Sequence, residues 1–180
     1  TQPHGLGDVV HTLPVAAMIK RHFPQAEVFF ATKIYAQALV TACRQVDQFV
    51  DFERIRNNVR ELSALRLDVL LNVSQDKTLG ETARKAGIAE RVGNFRRTST
   101  WKDCNRFTFF GRNSRGCHAA KLNLKNLRAL GINDIPAREK LASLYGLTRI
   151  QPLPPAWQQP LRDPRFHLIL HMLSRGNGRE

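Results

Sequence analysis

Two short segments of this sequence bring together residue types that can handle phosphates and protons. The first, Gly5-Leu6-Gly7-Asp8, leads into a run with helical periodicity. Glycines there let backbone approach a ligand, and a helix N-terminus attracts an anion. Val10 stands where the third glycine of a dinucleotide signature belongs, and no Gly-Lys-Ser/Thr follows to make a P-loop. Asp8 admits two readings. It is either an N-cap of the helix or a general base whose anion the helix macrodipole favours. The second segment, Ser174-Arg175-Gly176-Asn177-Gly178-Arg179, follows a strand-like run and offers a hydroxyl, glycine amides and two guanidiniums. That set suits phosphate at the end of an α/β strand. The plain alternative is a flexible charged turn.

The other candidates point less sharply. His4, Asp8 and His11 lack the spacing of a helical zinc motif and a softer third ligand, so no metal is expected. His167 and His171 fall on one face of a predicted strand and read as core or sheet-end residues. Cys43, Cys104 and Cys117 are odd in number and read as reduced thiols rather than a disulfide framework. Arg96, Arg97, Lys102, Arg106, Arg112 and Arg115 are interleaved with Trp101, Phe107, Phe109 and Phe110. Such a mixture can serve single-stranded nucleic acid. With no recognised nucleic-acid module around it, a solvated face over a hydrophobic anchor is the simpler reading, and no specific nucleic acid is expected.

The elements that must position these residues alternate. A helix is predicted after Asp8, with Pro14 near its first turn and Pro24 as its stop. Short apolar runs at 28–31, 48–52 and 68–73 read as strands, with helices at 35–42, 57–65 and 78–86 between them. A short strand at 91–93 follows, then an aperiodic basic stretch over 94–115. Helices are predicted at 117–130, closed by Gly131, and at 137–145. Uninterrupted apolar strands separated by single helices indicate a doubly wound parallel α/β sheet. Five prolines over 151–164 read as a linker, and 166–171 as the first strand of a further domain.

Charge is uneven. Residues 1–90 hold 11 basic and 10 acidic side chains, whereas 91–180 hold 17 and 5. Between Arg91 and Arg128 ten basic residues face one acid, Asp103. A surface of that density attracts polyanions. No apolar run approaches the roughly 18 residues of a membrane helix, and the opening residues have no secretory-signal character.

Taken in order, these landmarks resemble the ADP-heptose:lipopolysaccharide heptosyltransferases of glycosyltransferase family 9. The resemblance lies in Gly5-Leu6-Gly7-Asp8-Val9-Val10-His11-Thr12-Leu13-Pro14, in Arg21-His22-Phe23-Pro24-Gln25-Ala26-Glu27-Val28, in the helix led by His118-Ala119-Ala120, and in 171–180. It implies a Rossmann-like N-terminal half of a two-domain GT-B enzyme. The expected layout is an acceptor-side domain over 1–150 with its first strand missing before Thr1, a linker over 151–165, and a truncated nucleotide-sugar domain from 166 to 180. The implied activity is inverting transfer of heptose from ADP-heptose to a Kdo or heptose hydroxyl of the lipopolysaccharide inner core. Asp8 would be the base. Gly5, Gly7, Thr12, Arg54, Arg56, Arg60, Arg96 and Arg97 would meet the acceptor, and Ser174, Arg175, Gly176 and Arg179 the donor phosphates. Met172-Leu173 departs from the family's frequent Pro-Gly, and Arg179 replaces a common Lys. No cofactor or essential metal is implied. Expected partners are the nucleotide sugar, the anionic acceptor and an anionic inner-membrane surface, for a cytoplasmic protein peripheral on that membrane. Rival readings are a GT-B transferase with another nucleotide-sugar donor, and a non-enzymatic α/β protein binding RNA or another polyanion.

Overall fold

The computed structural model describes residues 1, 5–109, 117–162, 164 and 168. Helix α1 (Leu6–His22) is buried from Thr12 to Met18, so it carries apolar contacts on opposite faces. Val9, Leu13 and Ala16 pack with Val28, Phe30 and Val40. Val15 and Met18 pack instead with Ala120, Leu124, Leu127 and Leu141. The helix begins at Leu6 with Gly5 as N-cap, earlier than the sequence pattern predicts. Pro14 therefore lies inside the helix, where its ring nitrogen cannot donate to the preceding turn.

Among the described residues five strands follow in two parallel sheets: β1 (Phe29–Thr32) with β2 (Gln48–Asp51), and β3 (Val69–Leu71) with β4 (Glu90–Asn94) and β5 (Arg106–Thr108). The register sets Phe30 against Phe49, Leu70 against Arg91 and Gly93 against Phe107. Phe30 joins the α1 cluster, whereas its neighbour Ala31 joins Phe52, Ile55, Leu62, Leu70 and Leu79. Alternate residues thus meet helices on opposite faces, as a doubly wound α/β fold requires. The connecting helices are α2 (Gln37–Thr41), α3 (Phe52–Arg56), α4 (Val59–Ala64) and α5 (Lys77–Lys85).

Several elements differ from the sequence reading. The helix predicted over 57–65 is α4, started by Asn58, whose side chain accepts from the Glu61 N–H, and the short α3 before it was not predicted. The stretch read as aperiodic contains β5, whose Arg106 pairs with Glu90 at 2.8 Å. The helix predicted to Leu130 is α6 (Ala119–Leu124) followed by a 3₁₀ turn (Lys125–Leu130), stopped by Gly131 at φ 81°. The segment over 137–145 forms two 3₁₀ turns rather than a helix.

The chain divides into Thr1–Arg149 and a second unit from Ile150 onward. Within the latter, α7 (Pro155–Leu161) occupies part of the predicted linker. Proline at a first helical position loses nothing, since that N–H has no intrahelical partner. The strand predicted at 166–171 lies outside the described residues, apart from Leu168.

All three cysteines are free. Burial, then the neighbouring Asp103 charge, pushes the Cys104 thiol up to about 11, which leaves it inert as a nucleophile. At the base of the first sheet, Asp47 accepts from the Val28 N–H at 2.7 Å and pairs with Lys20 at 2.6 Å. Its burial acts to raise its carboxyl pKa, but Lys20 and the Val28 amide outweigh that and hold it below the ordinary value. A depressed folded pKa stabilises the fold above the unfolded value and is lost as pH falls through the folded one. Asp47→Asn is therefore expected to flatten the fall of Tm below about pH 4, the ordinary Asp range; an unchanged Tm–pH profile would remove this pair from the acid response.

Candidate functional site

The first turn of α1 and the ends of the strands meet at one edge of the fold. The chain passes from the C-terminus of α1 almost directly into β1, so the helix N-terminus lies toward the carboxyl ends of the strands. The turns after β2, β3, β4 and β5 begin at that same edge. Ligands of parallel α/β sheets bind there.

Asp8 occupies the third position of α1, exposed. Gly5 holds the cap position without a side-chain bond, so the N-cap reading of Asp8 is corrected. Thr12 Oγ donates to the Asp8 carbonyl at 2.8 Å, while the Asp8 carboxylate has no hydrogen-bond or ion-pair partner among the described residues. It is a carboxylate on a rigid helix with its oxygens available. A β-carbon added at Gly5 or Gly7 would meet nothing within 4 Å. Nothing in the described packing therefore requires glycine at either position. Gly7→Ala is expected to leave Tm unchanged or raise it, since Ala exceeds Gly in a helix by up to about 1 kcal/mol. If a ligand approaches this backbone, its Kd should rise in the same variant; equal ligand affinity would show the glycines are incidental.

Thr12 is buried, with its hydroxyl held between the Asp8 carbonyl and the Asn123 side-chain amide at 2.9 Å. It positions α1 against α6 rather than facing solvent. The same Asn123 amide also reaches the His11 carbonyl at 3.2 Å. His118 caps α6 by accepting from the Ala120 N–H through Nδ1 at 3.3 Å. Its ring stands edge-on to His11 with centroids 5.0 Å apart. His11 Nδ1 is buried with no partner among the described residues. Sequence reasoning missed this His11–His118–Asn123 group as a constellation, because no local spacing connects α1 with α6.

The arginines divide into two sets. Arg54 on α3 makes two 2.9 Å bonds to the Glu61 carboxylate, and Arg56 binds Asp76 at 3.1 Å. Asp76 in turn caps α5 through the Leu79 N–H at 2.8 Å. The buried Asn72 holds that turn by donating to the Asp76 carbonyl and accepting its N–H. Both guanidiniums are thus already paired with carboxylates. Arg60, Arg96 and Arg97 are exposed and without a charged side-chain partner among the described residues.

Beside Arg96 and Arg97 lies an exposed aromatic group. Phe95 stacks on Trp101 with centroids 4.6 Å apart and touches Phe109 at 4.8 Å. Phe107 meets Phe95 edge-on at 5.8 Å. Trp101 Nε1 donates to the Phe95 carbonyl at 2.5 Å, which fixes the stack.

Among the described residues no group of three His, Cys, Asp or Glu is arranged to hold a metal, and no helix is long and apolar enough to cross a membrane. His4, Ser174, Arg175, Gly176 and Arg179 lie outside the described residues.

No protein-family profile and no curated protein sequence matches the chain. Solved structures do. The glycosyl transferase family 9 protein from Veillonella parvula DSM 2008 matches at 19% identity with a TM-score of 0.61, over 74% of this chain and 40% of that one. E. coli heptosyltransferase WaaC with ADP matches at 15% identity and TM-score 0.58, over 75% and 46% of the two chains. The same enzyme with ADP-2-deoxy-2-fluoro heptose matches at 14% identity and TM-score 0.60, over 78% and 50%. The chain spans half or less of the length of each structure. Over the matched part, its parallel α/β fold is the fold of these glycosyltransferases.

Proposed function

We propose that this α/β unit is the acceptor-side part of an inverting glycosyltransferase of the heptosyltransferase type. The observation that carries the reading is Asp8: an exposed carboxylate with no partner among the described residues, in the first turn of α1, at the edge where parallel α/β sheets bind ligands. The fold likeness to structures holding ADP and an ADP-heptose analogue supports a nucleotide-sugar donor. Asp8 accepts the proton of an acceptor hydroxyl as its oxygen attacks the anomeric carbon from the face opposite the leaving group. The bond to the diphosphate breaks, and the nucleoside diphosphate departs carrying the electron pair. Its charge is assigned to backbone amides and cations, with Ser174, Arg175, Gly176 and Arg179 as the proposed set and no essential metal.

The proposed donor is ADP-heptose and the proposed acceptor a Kdo- or heptose-bearing lipopolysaccharide core. Kdo carboxylates and lipid phosphates complement the positive charge over 91–128. That charge also suits a cytoplasmic enzyme peripheral on an anionic inner membrane. The test is to incubate the full-length protein with ADP-heptose and Kdo-lipid A. ADP release matched by an acceptor gaining one heptosyl residue is the expected result. Transfer from a different nucleotide sugar alone would replace the donor, and absence of transfer from every donor would overturn the enzymatic reading.

A further inference from the structure

Asp8 stands on a stretch of helix that its own residues hold weakly. Gly5 caps α1 without a side-chain bond, and Gly7 adds backbone freedom immediately before Asp8. Pro14 cannot donate to the Val10 carbonyl, so the hydrogen-bond ladder of α1 is interrupted shortly after Asp8. On one side, Val9 and Leu13 tie this stretch to Val28, Phe30 and Val40. Apolar contact of that kind is non-directional. A base must lie within hydrogen-bond reach of the proton it takes, which asks for a more exact support.

That support comes from α6. Val15 and Met18 of α1 pack in one apolar cluster with Ala120 and Leu124 of α6. Toward Asp8 the seam changes character. His11 and Thr12 precede Val15 by one helical turn, on the same face of α1, and there they meet Asn123. Its side-chain amide nitrogen carries two N–H groups. It donates to the Thr12 hydroxyl at 2.9 Å and to the His11 carbonyl at 3.2 Å. Thr12 Oγ in turn donates to the Asp8 carbonyl at 2.8 Å. A continuous chain of hydrogen bonds thus runs from Asn123 to the backbone of Asp8. Asn123 is itself held, because the buried Asn126 donates to its carbonyl at 2.9 Å. His118 fixes the start of α6 through its bond to the Ala120 N–H, with its ring edge-on to His11. An apolar side chain at 123 would simply continue the seam. A satisfied amide–hydroxyl chain instead rigidifies the contact and specifies its geometry.

We propose that Asn123 is a positioning residue for Asp8, acting through Thr12 to fix the turn of α1 that carries the carboxylate. The inference rests on Asp8 as the base of the proposed transfer. Asn123 holds the backbone from which that base projects, and its loss lets the carboxylate wander from the line of attack.

Full-length variants test it by turnover number, Tm and amide exchange of residues 6–12. Asn123→Leu removes both donors and extends the apolar seam, whereas Thr12→Val removes the hydroxyl at constant shape. Each is expected to lower turnover by roughly 10- to 100-fold, the scale of a small misplacement at a reacting centre. Exchange of the turn should quicken, while the Tm of Asn123→Leu changes little. Thr12→Ser restores the hydroxyl and should recover most of the turnover that Thr12→Val loses. The double variant should lose little more than either single one, because both cut the same chain. The deciding comparison is made in the Asp8→Asn background. There Asn123→Leu should lower the residual turnover no further, since no base is left to position. An equal loss in both backgrounds would overturn the proposal and make the bond a fold contact, with the base assignment intact. Unchanged turnover in Asn123→Leu and Thr12→Val would overturn it in the same way. Wild-type turnover in Asp8→Asn alone would instead bring down the base reading, and this inference with it.

Discussion

Asp8→Asn is expected to lower the turnover number of the active transferase by about 10²–10⁴-fold, the usual contribution of a general base. Asn preserves the size of the side chain and cannot take the acceptor's proton. The competing explanation for such a loss is damage to α1, and the geometry separates the two. Gly5, not Asp8, is the helix cap, and no described residue bonds to the Asp8 carboxylate. Removing a charge from the first turn costs about 0.3–1 kcal/mol through the macrodipole, a Tm change of no more than about 4 °C in a chain of this size. Donor affinity should barely move, because the donor phosphates are assigned to 174–179. A variant with wild-type turnover would remove Asp8 from the chemistry. A variant that loses both turnover and most of its thermal stability would return Asp8 to a structural role.

The parts of the fold that were legible in the sequence are those where one residue type does one job. Val69-Leu70-Leu71 reads as a short apolar strand, with Leu70 buried at its centre, and Gly131 stops a helical segment at positive φ. β5 was not legible because Arg106-Phe107-Thr108 is short and begins with a charge whose purpose, the pairing with Glu90, lies on another strand. The start of α1 was misplaced for a related reason. Gly5, Leu6 and Gly7 carry no periodic signal, and a glycine N-cap leaves no side-chain signature.

At the site, Asp8 was visible because its motif is local. The Thr12–Asn123 bond was not, since its partners are 111 residues apart. Charge counting also treats Arg54 and Arg56 as free cations, whereas Glu61 and Asp76 already hold them. Only a three-dimensional arrangement separates a paired guanidinium from an available one.

That separation identifies which cations should matter for an anionic surface. Arg96 and Arg97 follow β4, are exposed, and flank the Phe95–Trp101–Phe109 rings. Exposed aromatics beside arginines suit the interface of a bilayer, where rings sit at headgroup depth and cations meet lipid phosphates. Each Arg near an anionic leaflet contributes about 1 kcal/mol, so replacing both by Gln should weaken binding to phosphatidylglycerol vesicles by roughly 30-fold. Binding to neutral phosphatidylcholine vesicles should be little changed, because only the charge is removed. Arg54→Gln with Arg56→Gln is the internal comparison. Those guanidiniums are already paired, so their loss should cost much less vesicle affinity than loss of Arg96 and Arg97. Single-stranded oligonucleotide provides the contrasting ligand, since stacking on the same rings would also give a salt-dependent complex. If the Arg96/Arg97 variant keeps its vesicle affinity and loses oligonucleotide binding instead, the aromatic surface serves nucleic acid. Loss on anionic vesicles alone assigns it to the membrane on which a lipid-linked acceptor would be presented.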